Sequence, residues 1–428
     1  MTRPTIDSEM DQETREGDQC LPLTGIRPEE QLLLHCVRPH LDAATLQKVR
    51  TLIRKGVNWD HLIATALRHG VLPLLYTAFR EMAWEGPPTA MREKLEAHYH
   101  SNKGRNVFLT DELLRILNIF EAHRVRAIPY KGPALAAVLH GRVGLRQFYD
   151  LDIMVRKRDV ALARDLLISL GYRPLISPPR AHEAAFMTHE CEYIFMGDNE
   201  VVLELCWAFA ERCFSFSPNL REWRARLEPV SLGGKEVLTF SQEDTLLALC
   251  MHGTKHYWDV LSTICDVAQL VHVRPGMNWR RVLHQARNLG GMRMLLLGLH
   301  LASDLLVVGL PNEVSQAIQQ DPQVKSLASY VCGNLFRASP NASEVDPCAF
   351  FALKARERLH DRIRYCLDLL ITPTYGDWAR LPLPGFLSFL HYLLRPARVL
   401  GKYGLNHMGR LVYQLAQAVR ISGSEQSR

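Results

Sequence analysis

Apolar positions recur at helical spacing through 31–37, 44–55, 59–69 and 72–82, and Gly86-Pro87-Pro88 breaks the pattern before a further helix. Residues 28–105 therefore read as an N-terminal helical region. The period then changes. A helix over 111–122 leads into the short apolar run 125–129, which ends at Tyr130-Lys131-Gly132 as a strand entering a turn, and 134–140 reads as a short helix closed by Gly141 and Gly144. Residues 148–155 mark a strand, 159–170 a helix ended by Gly171, and 190–196 and 201–207 two later strands joined by Gly197-Asp198-Asn199. After Ser241, helical spacing returns. Ser241-Gln242-Glu243-Asp244 resembles a helix cap, and the pattern continues to about residue 420 except where the prolines of 381–385 interrupt it. These periods predict an α+β chain in which a small mixed-sheet core (106–240) lies between the N-terminal helical region and a C-terminal helical domain (241–420). Flexible tails are expected at 1–27 and 421–428.

Composition refines this picture in few places. A length of 428 residues with 47% hydrophobic content suits two or three domains around a substantial core. Net charge is a modest +6, but basic residues outnumber acidic ones in 351–428. A solvated basic surface is the preferred reading of that segment, with contact to a polyanion or acidic membrane as its rival. The ten cysteines show no CxxC spacing and follow no secretory signal, so reduced thiols and a cytoplasmic location are expected. Residues 294–310 are strongly apolar, yet His300 and Asp304 interrupt them and Pro311 ends them, which favours a buried helix over a membrane span. Residues 384–400 set Phe386, Phe389, Leu393 and Leu394 beside Arg395 and Arg398. Packing on the preceding helices is preferred there to a membrane-interface role.

The candidate chemistry centres on Lys131-Gly132 and Asp150-Leu151-Asp152. Residues i and i+2 of a strand share a face, so Asp150 and Asp152 point together while Leu151, Ile153 and Val155 point the other way. Two adjacent carboxylates repel unless a cation lies between them, and Mg²⁺ is held by carboxylates together with substrate phosphates. A salt-bridged or solvated pair is the structural alternative. Gly132 permits close backbone approach, the start of the following helix offers amides to a phosphate, and Lys131 adds an ammonium. Arg146, four residues before Asp150, is either a phosphate ligand or one half of a structural ion pair. His252 and His256 share a helix face with Lys255, either toward nucleotide phosphates or in helix packing. Zinc is disfavoured there, since Gly253 stands where a zincin has glutamate. Asp266 either orients one of these groups or faces the core boundary.

The string Tyr130-Lys131-Gly132-Pro133-Ala134-Leu135-Ala136, then His140-Gly141, Arg146 and Asp150-Leu151-Asp152-Ile153-Met154-Val155, resembles the uncharacterised nucleotidyltransferase family of the DNA polymerase β superfamily. The resemblance extends through Asn58-Trp59-Asp60-His61-Leu62, His69-Gly70-Val71-Leu72-Pro73, His252-Gly253-Thr254-Lys255-His256-Tyr257-Trp258 and Leu394-Arg395-Pro396, covering about 28–405. It implies a third carboxylate, which Glu204 supplies within Val201-Val202-Leu203-Glu204-Leu205-Cys206-Trp207. Cys206 stands where the family usually has histidine. The implied activity is Mg²⁺-dependent transfer of a nucleoside monophosphate from an NTP, with ATP the expected donor, to a small-molecule, peptide or protein acceptor. Two ions, Mg²⁺ or alternatively Mn²⁺, would be held by Asp150, Asp152 and Glu204, with Lys131, Gly132, Arg146, His252, Lys255 and His256 toward the nucleotide. No nucleic-acid module is recognisable, so a nucleic-acid partner is not expected. The rival reading is a nucleotide-binding regulatory or scaffold protein that has lost turnover.

Overall fold

The computed structural model describes residues 25–178, 182–214, 216–337, 346–381, 383–399 and 401. Most of the expected N-terminal tail, the whole C-terminal one and the end of the last helical region lie outside the described residues. Four helices open the described chain: α1 (Pro28–Cys36), α2 (Ala43–Arg54), α3 (Trp59–Arg68) and α4 (Leu72–Glu81). The Asp42 and Asn58 side chains accept the amides of Thr45 at 2.7 Å and His61 at 3.0 Å, satisfying donors that α2 and α3 leave open at their starts. α5 (Thr89–Ala122) is one helix of 34 residues. It absorbs the segment expected as a separate helix at 111–122 and runs through residue 105. Its buried stripe, from Leu95 and Tyr99 to Leu113, Ile116 and Phe120, keeps helical spacing along the whole length, so Gly104 does not end it.

Next come β1 (Ile128–Pro129), α6 (Gly132–His140), β2 (Asp150–Met154), α7 (Val160–Ser169), β3 (Arg173–Pro174), α8 (Glu183–His189), β4 (Glu192–Met196) and β5 (Val202–Cys206). The five strands form one sheet in the order β1-β2-β5-β4-β3. β2 and β5 run parallel and the other neighbours antiparallel, so the sheet is mixed as expected. Leu151, Ile153, Leu203 and Leu205 face a core completed by Leu109, Leu113 and Phe120 of α5 and Val160 and Leu167 of α7. On the opposite face Met154 and Cys206 join the larger core of the helical regions. That face carries the acidic side chains.

After α9 (Leu220–Arg224), strands β6 (Glu228–Leu232) and β7 (Lys235–Thr239) pair as a hairpin around Gly233-Gly234, whose φ values are +55° and +81°. The apolar pattern does not announce this hairpin because only Leu232, Val237 and Thr239 are buried in it. The paired glycines were the available signal, since the type I′ turn of a two-residue hairpin needs positive φ at both positions. Thr239 Oγ1 donates to the Pro129 carbonyl at 2.7 Å and ties the hairpin to β1.

The C-terminal helices are α10 (Gln242–Lys255), α11 (Leu261–Val273), α12 (Trp279–Leu289), α13 (Met292–Leu306), α14 (Asn312–Gln320), α15 (Pro322–Leu335), α16 (Asp346–Ala355), α17 (Leu359–Ile371) and α18 (Tyr375–Arg380). Ser241 caps α10 by accepting the Asp244 amide, as its sequence suggests. α13 packs against α10, α11 and α15 and is buried nearly all round, which explains its unbroken apolar run. Among the described residues no helix is long and apolar enough to cross a membrane, and the eight cysteines whose side chains are described are free. One packing expectation is corrected. Phe386, Phe389, Leu393 and Leu394 are 79, 58, 68 and 47% exposed, because the helical stretch 390–399 docks through Arg395 and Arg398 on Asp377 rather than through those apolar side chains.

Two contacts fix α10 and α11. The buried Trp258 indole lies against Gly253 of α10 and Gly298 of α13, where an added Cβ would sit 2.6 and 2.7 Å from ring atoms. His69 Nδ1 accepts the Leu261 amide at 3.2 Å and its carbonyl accepts the Ser262 amide at 3.0 Å, joining α3 to the start of α11. Burial, with Arg68 alongside, pulls the His69 ring down to about 4.

Gly253→Ala and Gly298→Ala are each expected to cost about 1–3 kcal/mol by overpacking, read as a lowered denaturant midpoint; an unchanged midpoint would mean that the indole has room to shift. Because the unfolded chain takes up a proton that the folded His69 ring refuses, stability is expected to fall as pH drops from about 6.5 toward 4. Urea unfolding should lose on the order of 2–3 kcal/mol across that window through His69. His69→Asn should remove that share of the slope.

Candidate active site

The turn after β1 brings the lysine to the acids. Gly132 adopts φ +51°, and a Cβ there would meet the Asp150 carbonyl at 3.0 Å, so glycine is what lets α6 begin directly against β2. Lys131 is the residue preceding this helix. Parallel pairing sets Asp152 opposite Glu204 and Asp150 opposite Val202. An oxygen of Asp152, an oxygen of Glu204 and Cys206 Sγ all lie within 4.8 Å of one another. Asp150, one strand pleat away on the same face, stands outside that tightest group.

Lys131 Nζ lies 2.6 Å from Asp152 Oδ1 and 3.9 Å from Glu204 Oε2. Burial opposes its charge, but Asp152 and Glu204 outweigh burial and hold the ammonium well above the usual lysine value. One ammonium does not neutralise three acids. Burial and the Asp152 charge push Asp150 up to about 6 and Glu204 up to about 9, and Asp152 Oδ2 is buried with no hydrogen-bond partner. A divalent cation relieves this kind of repulsion and supplies the missing partner, so the residues present fit a metal held by oxygen. Cys206 is a poorer ligand for Mg²⁺. Its thiol is soft, receives the Tyr130 hydroxyl at 3.5 Å, and is pushed well above its ordinary range by burial and by Glu192.

A cleft of about 520 Å³ collects Lys131, Arg146, Asp150, Asp152, Glu204, His252, Lys255 and His256. Gly132, buried in the turn, is the remaining predicted residue and does not line it. α10 thus brings its histidine–lysine face to the sheet, although the β6–β7 hairpin and α9 lie between it and β5 in sequence. Burial, reinforced by Lys131, draws His252 well below its ordinary value, and burial with Lys255 draws His256 down to about 4, so both rings are neutral hydrogen-bonding groups at pH 7. Among the described residues no cluster of three metal ligands includes them. Lys255 pairs with Glu211 at 3.0 Å.

Arg146 is engaged. Its Nε donates to both Asp266 oxygens at 3.1 and 3.0 Å, and its Nη2 lies 3.0 Å from Oδ2. Asn106 of α5 holds the same loop by donating to the Val143 and Arg146 carbonyls, each at 2.7 Å. The structural ion pair weighed for Arg146 is therefore present, with Asp266 as its partner. Sequence reasoning missed His69, Tyr130, Glu192 and Phe209 as lining residues. For Glu192 a signal existed, since it stands opposite Cys206 on the face of β4 that continues the acidic side of β5.

A family model described as uncharacterised nucleotidyltransferase matches residues 55–307. Among solved structures, an antigenic nucleotidyltransferase-like protein from Paracoccidioides brasiliensis is similar at 14% identity, over 50% of this chain and 96% of that one, with a TM-score of 0.27. No curated protein matches the chain.

Asp266→Ala is expected to cost about 3–5 kcal/mol, because it strands the buried Arg146 charge. Urea unfolding of this variant beside Arg146→Met/Asp266→Leu tests the point. The double variant should regain most of the loss, whereas a single-variant loss below about 1 kcal/mol would place the pair among solvated ones.

Proposed function

From the premise that the chain belongs to the uncharacterised nucleotidyltransferase family, we propose that it transfers a nucleoside monophosphate from an NTP, ATP being the expected donor, to a small-molecule, peptide or protein acceptor, releasing pyrophosphate. The observation that carries this reading is the β2–β5 register, which sets Asp152 against Glu204, with Asp150 on the same face and Lys131 at the adjoining helix start. In this reading Asp150, Asp152 and Glu204 hold two Mg²⁺ ions. Bound there, the metal would supply Lewis-acid activation of the acceptor oxygen and charge neutralisation at the departing pyrophosphate.

The chain's own groups do the rest. Lys131 exchanges its bond with Asp152 for a phosphate oxygen when nucleotide enters, and the first turn of α6 after Gly132 turns its amides toward the same charge. Arg146, oriented by Asp266 through Nε and Nη2, keeps Nη1 for the nucleotide. His252 and His256, both neutral, donate or accept hydrogen bonds without adding charge, and Lys255 lends its ammonium from the helical side. Placing donor and acceptor together in one cleft supplies the orientation that in-line attack requires. The rival scaffold reading draws on the 2.6 Å Lys131–Asp152 bond, which engages a metal-binding carboxylate with the protein's own cation.

Calorimetry with ATP, GTP, CTP and UTP, with and without Mg²⁺, separates the two readings. Wild type should bind one nucleotide in a metal-dependent manner, and Asp150→Asn/Asp152→Asn should weaken that binding at least tenfold. Pyrophosphate release in an acceptor screen then establishes turnover. Metal-independent nucleotide binding that survives the double substitution would point to the scaffold instead.

A further inference from the structure

A second charged concavity lies at the other end of the sheet. It has a volume of about 570 Å³ and is lined by Arg126, Arg156, Lys157, Arg158, Arg221 and Arg224, with Ala225 and no carboxylate. Three separate segments converge to build it. Arg126 precedes β1, residues 156–158 follow β2, and Arg221 and Arg224 come from α9. β1 runs antiparallel to β2, so Lys131 and Asp150 flank one end of this strand pair while Arg126 and Arg156 flank the other. At the strand rise, Asp150 and Arg156 are roughly 20 Å apart, too far for one small anion to touch both.

Unlike the cations of the acidic cleft, these are not internally neutralised. Among the described residues, only Arg158 of the six has a carboxylate within ion-pair distance, Asp159 at 3.6 Å. Arg224 is half-buried, and its Nε and Nη2 are buried without a hydrogen-bond partner. Burial and the neighbouring Arg156 both act against its charge. Buried donors without acceptors, set among like charges, are costly unless something supplies oxygen atoms and negative charge. Guanidinium forks match phosphate oxygens in a paired, planar geometry. Because the cations converge on a hollow rather than line a track, the shape suits a compact ligand.

We propose that this concavity binds a compact polyphosphate group, a pyrophosphate or a triphosphate tail, at a site separate from the acidic cleft. The class of ligand follows from six cations, the absence of lining carboxylates and the limited volume. The proposal is independent of whether the acidic cleft turns over.

Calorimetry in metal-free, low-salt buffer with sodium tripolyphosphate, pyrophosphate and ATP tests it on the full chain. Wild type should bind tripolyphosphate without metal, Lys131→Gln should retain that binding within twofold, and Arg156→Gln/Arg224→Gln should weaken it at least tenfold. Should the arginine pair prove necessary for folding, Arg126→Gln/Lys157→Gln, on two exposed side chains, should still weaken binding at least threefold. ATP binding as tight as tripolyphosphate would support the site with a nucleotide as source, and tighter binding of the inorganic anions would support it with free polyphosphate as source. Three results would overturn it: no binding by wild type, loss in Lys131→Gln but not in the arginine variants, or preference for a single-stranded oligonucleotide over tripolyphosphate.

Discussion

The parallel pairing of β2 with β5 is the constraint on which the site depends. It opposes Asp152 to Glu204 across two strands at a depth where Asp152 is only 2% exposed. Like charges so placed raise the free energy of the fold, and the surrounding elements can be read as responses to that. Lys131 is delivered by a turn that only glycine accommodates, and α6 starts within contact distance of β2 because of it. The sheet's other face is wholly apolar at Leu151, Ile153, Leu203 and Leu205, which fixes register and keeps the acids from rotating inward.

Helical regions before and after the sheet contribute to one shared core, in which Leu32, Leu33 and Phe79 join Leu246, Leu261 and Leu297. That shared packing is why a histidine from α3 can hold the first amide of α11, and why α10 can present His252, Lys255 and His256 above strands far from it in sequence. The lining of the cleft is a product of tertiary packing between the helical halves, with only its acidic floor set by local chain pattern.

Legibility in the sequence follows the same division. The Asp150–Asp152 face, the glycine turn, the helix after β2 and the mixed sheet could be read because each depends on neighbours within a few residues. The Arg146–Asp266 pair spans 120 residues, and no local period encodes it. The β6–β7 hairpin was hidden because few of its side chains are buried and they carry no clear apolar alternation. α5 was divided too early because its polar middle obscures a stripe that only the two cores together make continuous. The exposed Phe386 and Phe389 show the converse error, an amphipathic pattern whose docking is decided by Asp377 with Arg395 and Arg398 rather than by apolar area.

α5 has a mechanical consequence. Its 34 residues extend about 50 Å at the helical rise, with Leu95 and Tyr99 embedded in the helical core and Leu109 to Phe120 embedded in the sheet core. A continuous helix anchored in both bodies acts as a strut. The two walls of the cleft cannot swing like a hinge without bending it or extracting one set of its buried side chains. Adjustment around a bound molecule is therefore left to side chains such as Lys131, since Asn106 and Asp266 hold the loop that carries Arg146. On this account the spacing between the acidic floor and the α10 wall is a dimension built into the fold, and it limits from the outset the size of what can be bound between them.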